Sequence, residues 1–308
     1  MRCLNDRIAI ISNIGDNTLS IIDLNTLCEK EKIKIKSFLG PHHIVCDENS
    51  KYLYITNAYN SSISKYDLIL NTIVDTVFVG SYPCHLELDS KNRKLYVSNE
   101  DSNSISVIDL KNMLLQTQIP VGEMPHGIKL SPDNKKIYVA NFKTNTLSVI
   151  NTLTNEKESC IYANMNPYHI ALSRDGNYLY IVNANFSNLK KGSISIFNTN
   201  NLKAEEKIEI GKTPMDITFG LSENILFVTD IEMNLVHVVD IKAKKIIDNI
   251  KVGNMPLSIK IEPSKKYLLV TNIGDDTLSI IDLEKLTVIK KIKVGLEPTS
   301  ILCLYLFN

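Results

Sequence analysis

One landmark returns about every 42 residues along the entire chain, and that period leaves few folds open. A short apolar run ending in Asn or Asp stands at 8–13, 53–57, 95–99, 137–141, 179–183, 225–230 and 268–272. Ten residues beyond each of these ends comes Asp23, Asp67, Asp109, Asn151, Asn198, Asp240 or Asp282, with fifteen in the fifth copy alone. Sixteen residues further stands a proline, at Pro41, Pro83, Pro125, Pro167, Pro214, Pro256 and Pro298, the first interval alone being eighteen. Seven copies of one unit therefore fill the chain.

Between the landmarks, β-branched and aromatic residues alternate with polar ones, as in Tyr52-Leu53-Tyr54-Ile55-Thr56 and Lys290-Lys291-Ile292-Lys293-Val294. That period of two is the signature of strands. Turn formers such as Ser131-Pro132-Asp133-Asn134 and Arg174-Asp175-Gly176-Asn177 separate the runs. Each unit thus holds four strands: a after the proline, b ending in Asn, c of the type Leu-Ser-Ile-Ile-Asp, and a Lys-rich d leading to Gly-x-x-Pro. Four antiparallel strands in such a unit make a propeller blade, and the 3.6-residue period of helical solenoids is absent. The predicted fold is all-β, a seven-bladed β-propeller forming one domain over 1–308. Because the first unit starts at strand b and the chain ends on a strand a, that last strand is predicted to pair with 8–13. Pairing there closes the ring and removes two exposed sheet edges.

Charge excludes some partners. Lys and Arg total 34 against 34 Asp and Glu, so no overall field draws the chain to nucleic acid or an anionic membrane. The most apolar segment, 301–307, is far shorter than the ~20 residues of a membrane span. Residues 1–7 are charged and lack the apolar stretch of a secretory signal. These features lead to the expectation of a cytoplasmic monomer, with the cell surface or export as the alternative. Cys3, Cys28, Cys46, Cys84, Cys160 and Cys303 include no Cys-x-x-Cys pair and read as reduced, small core residues.

The runs Leu95-Tyr96-Val97-Ser98-Asn99, Ile137-Tyr138-Val139-Ala140-Asn141 and Leu268-Leu269-Val270-Thr271-Asn272, with downstream Asn-Thr-Leu-Ser-Val-Ile and Val-Gly-x-x-Pro elements, resemble YVTN-type β-propeller repeats. The resemblance covers essentially all of 1–308, and the absence of Trp separates the chain from WD repeats. It implies a seven-bladed ring whose relatives serve as surface proteins, binding modules and, in related groups, lactonases or streptogramin lyases. Their catalytic residues do not map onto this sequence position by position.

Strand direction alternates within a blade, so b–c loops and d-to-a crossings share one face, and histidines collect there. His42, His43, His85, His126 and His169 sit one or two places after a repeat proline, and only His237 lies elsewhere. The second place after the proline reads His43, His85, Gly127, His169, Asp216, Ser258, Ser300 around the ring. Strand a is innermost in a blade, so these residues are expected at the mouth of the central channel. Several imidazoles and a carboxylate there could hold an anion, a polarised water or a divalent metal, with the neighbours His43 and His85 as the metal pair. The plainer alternative is a histidine that only bonds loop backbone. If strand parity turns these side chains sideways, His42, His126 and Tyr168 take the inner positions. Five extra residues in the b–c loop of blade five, within 184–193, offer Phe186, Lys190 and Lys191 as a contact element. The Asn or Asp closing strand b is expected to bond the backbone of the following turn.

No Gly-x-Ser-x-Gly elbow, His-Glu-x-x-His pair or phosphate-binding Gly-rich loop is present. The sequence therefore reads as a non-enzymatic scaffold that binds a protein or small molecule on the b–c face, with no catalytic residue and no cofactor. The alternative is a hydrolase or lyase, lactonase-like or metal-assisted, working at the channel mouth.

Overall fold

Each repeat becomes one four-stranded antiparallel sheet in the computed structural model, which describes residues 6–35, 39–186 and 191–306. Seven such sheets form the seven-bladed propeller that the period predicts. Among the described residues, helix is confined to two 3₁₀ turns, Ala58–Asn60 and Ile273–Asp275. Burial explains the strand compositions. Strand c of blade one (Thr18–Asp23) is buried along nearly its whole length, whereas its strand d (Cys28–Lys34) is almost wholly exposed. Middle strands are covered on both faces by adjacent blades, so they carry Ile, Leu and Val; the rim strand can carry Lys and Glu.

Apolar contact runs between blades. Ile8, Ile10 and Leu19 of blade one pack with Leu53 and Ile55 of blade two, and Ala9, Ile11 and Ile22 pack with Leu278 and Ile280 of blade seven. The chain's last strand, Pro298–Leu306, pairs antiparallel with Asp6–Asn13, placing Ile301 opposite Ile11 and Leu304 opposite Ile8. Ring closure is therefore as the sequence predicts.

The Asn ending strand b acts differently from expectation. Instead of bonding chiefly to turn backbone, Asn57 Nδ2 donates to Ser62 Oγ (3.0 Å) and Ser64 Oγ (2.8 Å) on strand c. Asn13, Asn99, Asn141 and Asn272 donate to the equivalent hydroxyls. Antiparallel pairing sets Asn57 opposite Ser62, which brings the amide within reach. Glycine of the Val-Gly-x-x-Pro element then packs on the same amide: a Cβ on Gly253 would lie 2.5 Å from Asn272 Cγ. Blade six replaces this pair with Asp230 and His237, whose Oδ2 and Nε2 lie 3.3 Å apart in full burial. That placement gives His237 a structural role. Burial pushes the Asp230 carboxyl up, but His237 and the backbone N–H groups of Lys212, Met233 and Thr213 outweigh it, and the net shift is downward.

Cys84 is buried, as expected, but Cys28 and Cys160 are exposed, because each lies on a rim strand d. Cys3 lies outside the described residues. Among the described residues, no helix is long and apolar enough to cross a membrane.

Candidate functional site

A bulge at the start of strand a decides what faces the axial channel. In blade two, Pro41 pairs with Asn57 and Ile44 with Ile55, so three steps on strand a answer two on strand b. The same shift follows the proline in blades four to seven, with related shifts in blades one and three. A bulge inserts one residue and re-aims side chains. Both places after the proline therefore contribute to the channel, and the choice that strand parity would have forced does not arise. His42, His43, His85, His126, His169 and Asp216 all line one cavity of about 460 Å³. Tyr168 stacks on His126, with ring centroids 3.8 Å apart.

Hydroxyls on strand b hold the bulge. Thr56 Oγ1 accepts from His43 N–H (2.7 Å), Thr229 Oγ1 from Asp216 N–H (3.0 Å) and Thr271 Oγ1 from Ser258 N–H (2.9 Å). Ser98 Oγ donates to the His126 carbonyl at 2.7 Å, tying blade three to blade four. These positioning residues stand immediately before the strand-b Asn or Asp. Their sequence signal is Ser or Thr at that place in five of seven repeats, namely Ser12, Thr56, Ser98, Thr229 and Thr271.

Within the cavity, His169 Nδ1 lies 3.0 Å from Asp216 Oδ1. Asp216 Oδ1 also accepts from Ile217 N–H (2.7 Å), while Oδ2 accepts from Ile259 N–H (3.0 Å) and Ser258 Oγ (3.2 Å). Burial pushes this carboxyl up, but His169 and those backbone N–H groups outweigh it, so the net shift is downward and Asp216 is a carboxylate at neutral pH. An ionised Asp216 only accepts, which places a proton on His169 Nδ1 and leaves Nε2 as the basic nitrogen.

The other imidazoles crowd around this pair. His85 and His126 have ring centroids 4.8 Å and 5.1 Å from that of His169. His43 lies 3.8 Å from His85 with ring planes 32° apart, closer to stacked than to convergent on one point. His42 Nδ1–H donates to the Cys84 carbonyl (2.8 Å), whereas the Nδ1 atoms of His43, His85 and His126 are buried without a partner. Deeper in the channel, Lys129 pairs with Glu87, and the Glu87 charge raises the Lys129 ammonium. Spacing from the proline did not single out that pair.

Burial, and after it the neighbouring imidazoles, lower His43, His85 and His126 well below the usual histidine range. Burial takes His42 to about 4. The unfolded chain binds these protons near the ordinary value of 6.5, so below that pH it holds more protons than the folded chain. Stability is therefore complete above about pH 6.5 and is lost progressively toward pH 4. Melting temperature is expected to fall by several degrees over that window, and His43→Asn should flatten the fall; an unchanged slope would contradict the assignment.

The blade-five loop lies at the edge of this face. Phe186 is 61% exposed and meets Phe142 edge-on at 5.7 Å, while Lys191 pairs with Glu209 at the rim. Lys190 lies outside the described residues.

Comparisons with known proteins bear on this channel. A family profile described as YNCE-like beta-propeller matches residues 115–302, and one described as Lactonase, 7-bladed beta-propeller matches residues 5–158. A Bacteroides fragilis protein assigned as a 6-phosphogluconolactonase superposes with a TM-score of 0.81 at 16% identity, covering 97% of this chain and 98% of that one. The periplasmic gluconolactonase of Pseudomonas aeruginosa gives 0.81 at 14% identity, covering 98% and 99%. Kuenenia stuttgartiensis hydrazine synthase gives 0.78 at 21% identity, covering 89% and 97%. At such identities the structural likeness speaks for the fold alone. No curated protein matches the chain. The expectation of a non-enzymatic scaffold is overturned by the lactonase profile, and the alternative of a hydrolase is the better reading. The scaffold reading leaned on missing short motifs, whereas a channel site draws its residues from blades far apart in sequence. By its matches this chain belongs to the YNCE-like β-propellers and, through its first half, to the seven-bladed lactonase β-propellers.

Proposed function

We propose that this protein, as one unit of YVTN-type repeats, hydrolyses lactones of sugar-derived acids in its axial channel. The observation that carries the reading is the His169–Asp216 contact of 3.0 Å inside that cavity. The volume of about 460 Å³ suits a single sugar ring. The lactonase profile supports the reaction class, and likeness to proteins named for gluconolactone and 6-phosphogluconolactone supports the substrate class.

In this mechanism His169 Nε2 takes a proton from water as the water oxygen attacks the lactone carbonyl, and Asp216 stabilises the imidazolium that forms. His85 and His126, neutral because burial disfavours their charged forms, turn N–H groups toward the developing oxyanion. When the ring C–O bond breaks, the imidazolium returns its proton to the departing alkoxide, and the product is the open hydroxy acid. Lys129 is paired with Glu87, and Lys260 also lines the cavity, so the lining accepts either an uncharged or a phosphorylated sugar lactone. Exposed, unpaired Cys28 and Cys160 fit a reducing compartment.

The test is acid release from γ- and δ-lactones of aldonic acids, measured against their spontaneous hydrolysis. We expect catalysis on one or more of these lactones and a loss of roughly 10²–10⁴ in His169→Ala. Failure to exceed the spontaneous rate on every lactone, or wild-type turnover by His169→Ala, would overturn the reading.

A further inference from the structure

Seven copies of one unit provide an internal standard against which an unusual residue stands out. The residue after the strand-b Asn or Asp is apolar in six units, as Ile14, Ala58, Phe142, Ala184, Ile231 and Ile273; only blade three has a carboxylate there, Glu100. At the first place after the proline, only blade three has a thiol, Cys84, and blade four follows it with His126. The fold brings the two exceptions, Cys84 and Glu100, together with His126. Glu100 N–H donates to the Tyr82 carbonyl at 2.9 Å, which draws the carboxylate over the start of the strand that bears Cys84. One ligand atom from each of Cys84, Glu100 and His126 lies within 4.8 Å of the other two.

We propose that Cys84, Glu100 and His126 bind one divalent transition ion of the zinc or cobalt class at the mouth of the channel. A second observation points the same way: His126 is 4% exposed and its Nδ1 is buried without a partner. An imidazole nitrogen in that state costs desolvation energy unless something occupies it. Thiolate, imidazole and carboxylate together select a borderline ion over magnesium or calcium, which take oxygen ligands alone. Bonds of about 2.0–2.3 Å in a tetrahedral site put ligand atoms roughly 3.3–3.8 Å apart, so the set closes by about 1 Å around the ion. Its backbones are already held, because His42 Nδ1–H donates to the Cys84 carbonyl and Ser98 Oγ to the His126 carbonyl. Tyr168 stacks on the His126 ring and limits its rotation. Three protein ligands leave the fourth position to water or a solute.

The site shares His126 with the lactone reading, its unpartnered Nδ1 serving the ion and leaving Nε2–H for the oxyanion. Neither His169 nor Asp216 is a ligand and the readout below involves no turnover, so failure of one reading is distinguishable from failure of the other. The full chain, purified without an affinity tag and stripped with a chelator, is titrated with cobalt(II). We expect one equivalent to bind, a thiolate-to-cobalt charge-transfer band in the near ultraviolet, a raised melting temperature, and displacement by zinc. Cys84→Ser should lose the band, Glu100→Gln should weaken binding about 10-fold or more, and His43→Asn should leave both intact. Absence of the band, its persistence in Cys84→Ser, or its loss in His43→Asn would overturn the proposal. Should Cys84→Ser fail to fold, Glu100→Gln, whose residue sits at a loop edge, decides alone: wild-type affinity would sink the site.

Discussion

Asp216→Asn is expected to lower kcat/KM for lactone hydrolysis on the order of 10³-fold while leaving the fold intact. Asparagine matches aspartate in shape, and its carbonyl can still accept from Ile259 N–H and Ser258 Oγ as the carboxylate does. What it loses is the charge that stabilises a protonated His169 and the certainty that Nδ1 carries the proton. An amide NH₂ turned toward His169 would favour the tautomer with the proton on Nε2, which cannot act as a base. The loss should appear mainly in kcat, because the carboxylate matters most once the imidazolium forms. A variant that folds, melts within a few degrees of wild type and keeps full turnover would remove Asp216 from the mechanism. Asp216→Ala is the less informative change, since it also strands the N–H groups of Ile217 and Ile259.

Deletion of residues 298–308 is expected to be the most destabilising change of all. It removes the innermost strand of blade one, with it the pairing to Asp6–Asn13, and the buried side chains of Ile301 and Leu304. Each of those side chains contributes roughly 1.5–3 kcal/mol by burial. The exposed edge of Asp6–Asn13 and the opened seam against blade seven add to the loss, within a total stability of about 5–15 kcal/mol for an ordinary domain. A loss of about 5 kcal/mol lowers Tm by roughly 10 °C or more in a chain of this size. Thermal melts of the two forms, with solubility after expression, check it; a truncated chain that melts like the full one would contradict closure as a source of stability.

Much of the architecture was legible in the residues because blade geometry is local. Period, strand alternation and turn residues each act within one repeat, so the blade count, the strand order and the pairing of the terminal strand follow from spacing alone. The same reasoning erred wherever a side chain's partner lay beyond its own turn. Asn57 was expected on turn backbone and bonds the hydroxyls of Ser62 and Ser64 across the hairpin. Exposed Cys28 and Cys160 were expected in the core, because a rim strand and a middle strand share the same β pattern, and only packing against a neighbouring blade distinguishes them.

The amino-acid sequence by itself determined the ring of seven blades, its closure, and the gathering of five histidines beside the repeat prolines. Tertiary structure alone decided what those histidines can do. The bulge after the proline lets either of the next two residues line the channel, and in blade two both His42 and His43 do; a bulge is a property of how two strands register, invisible to the period of either one. His169 meets Asp216, and Cys84 approaches His126, because equivalent positions of adjacent blades converge on the axis although about one full repeat of chain separates them. A site assembled at that separation leaves no short motif in the sequence, since the chain between its members is occupied in building the blade that holds them apart.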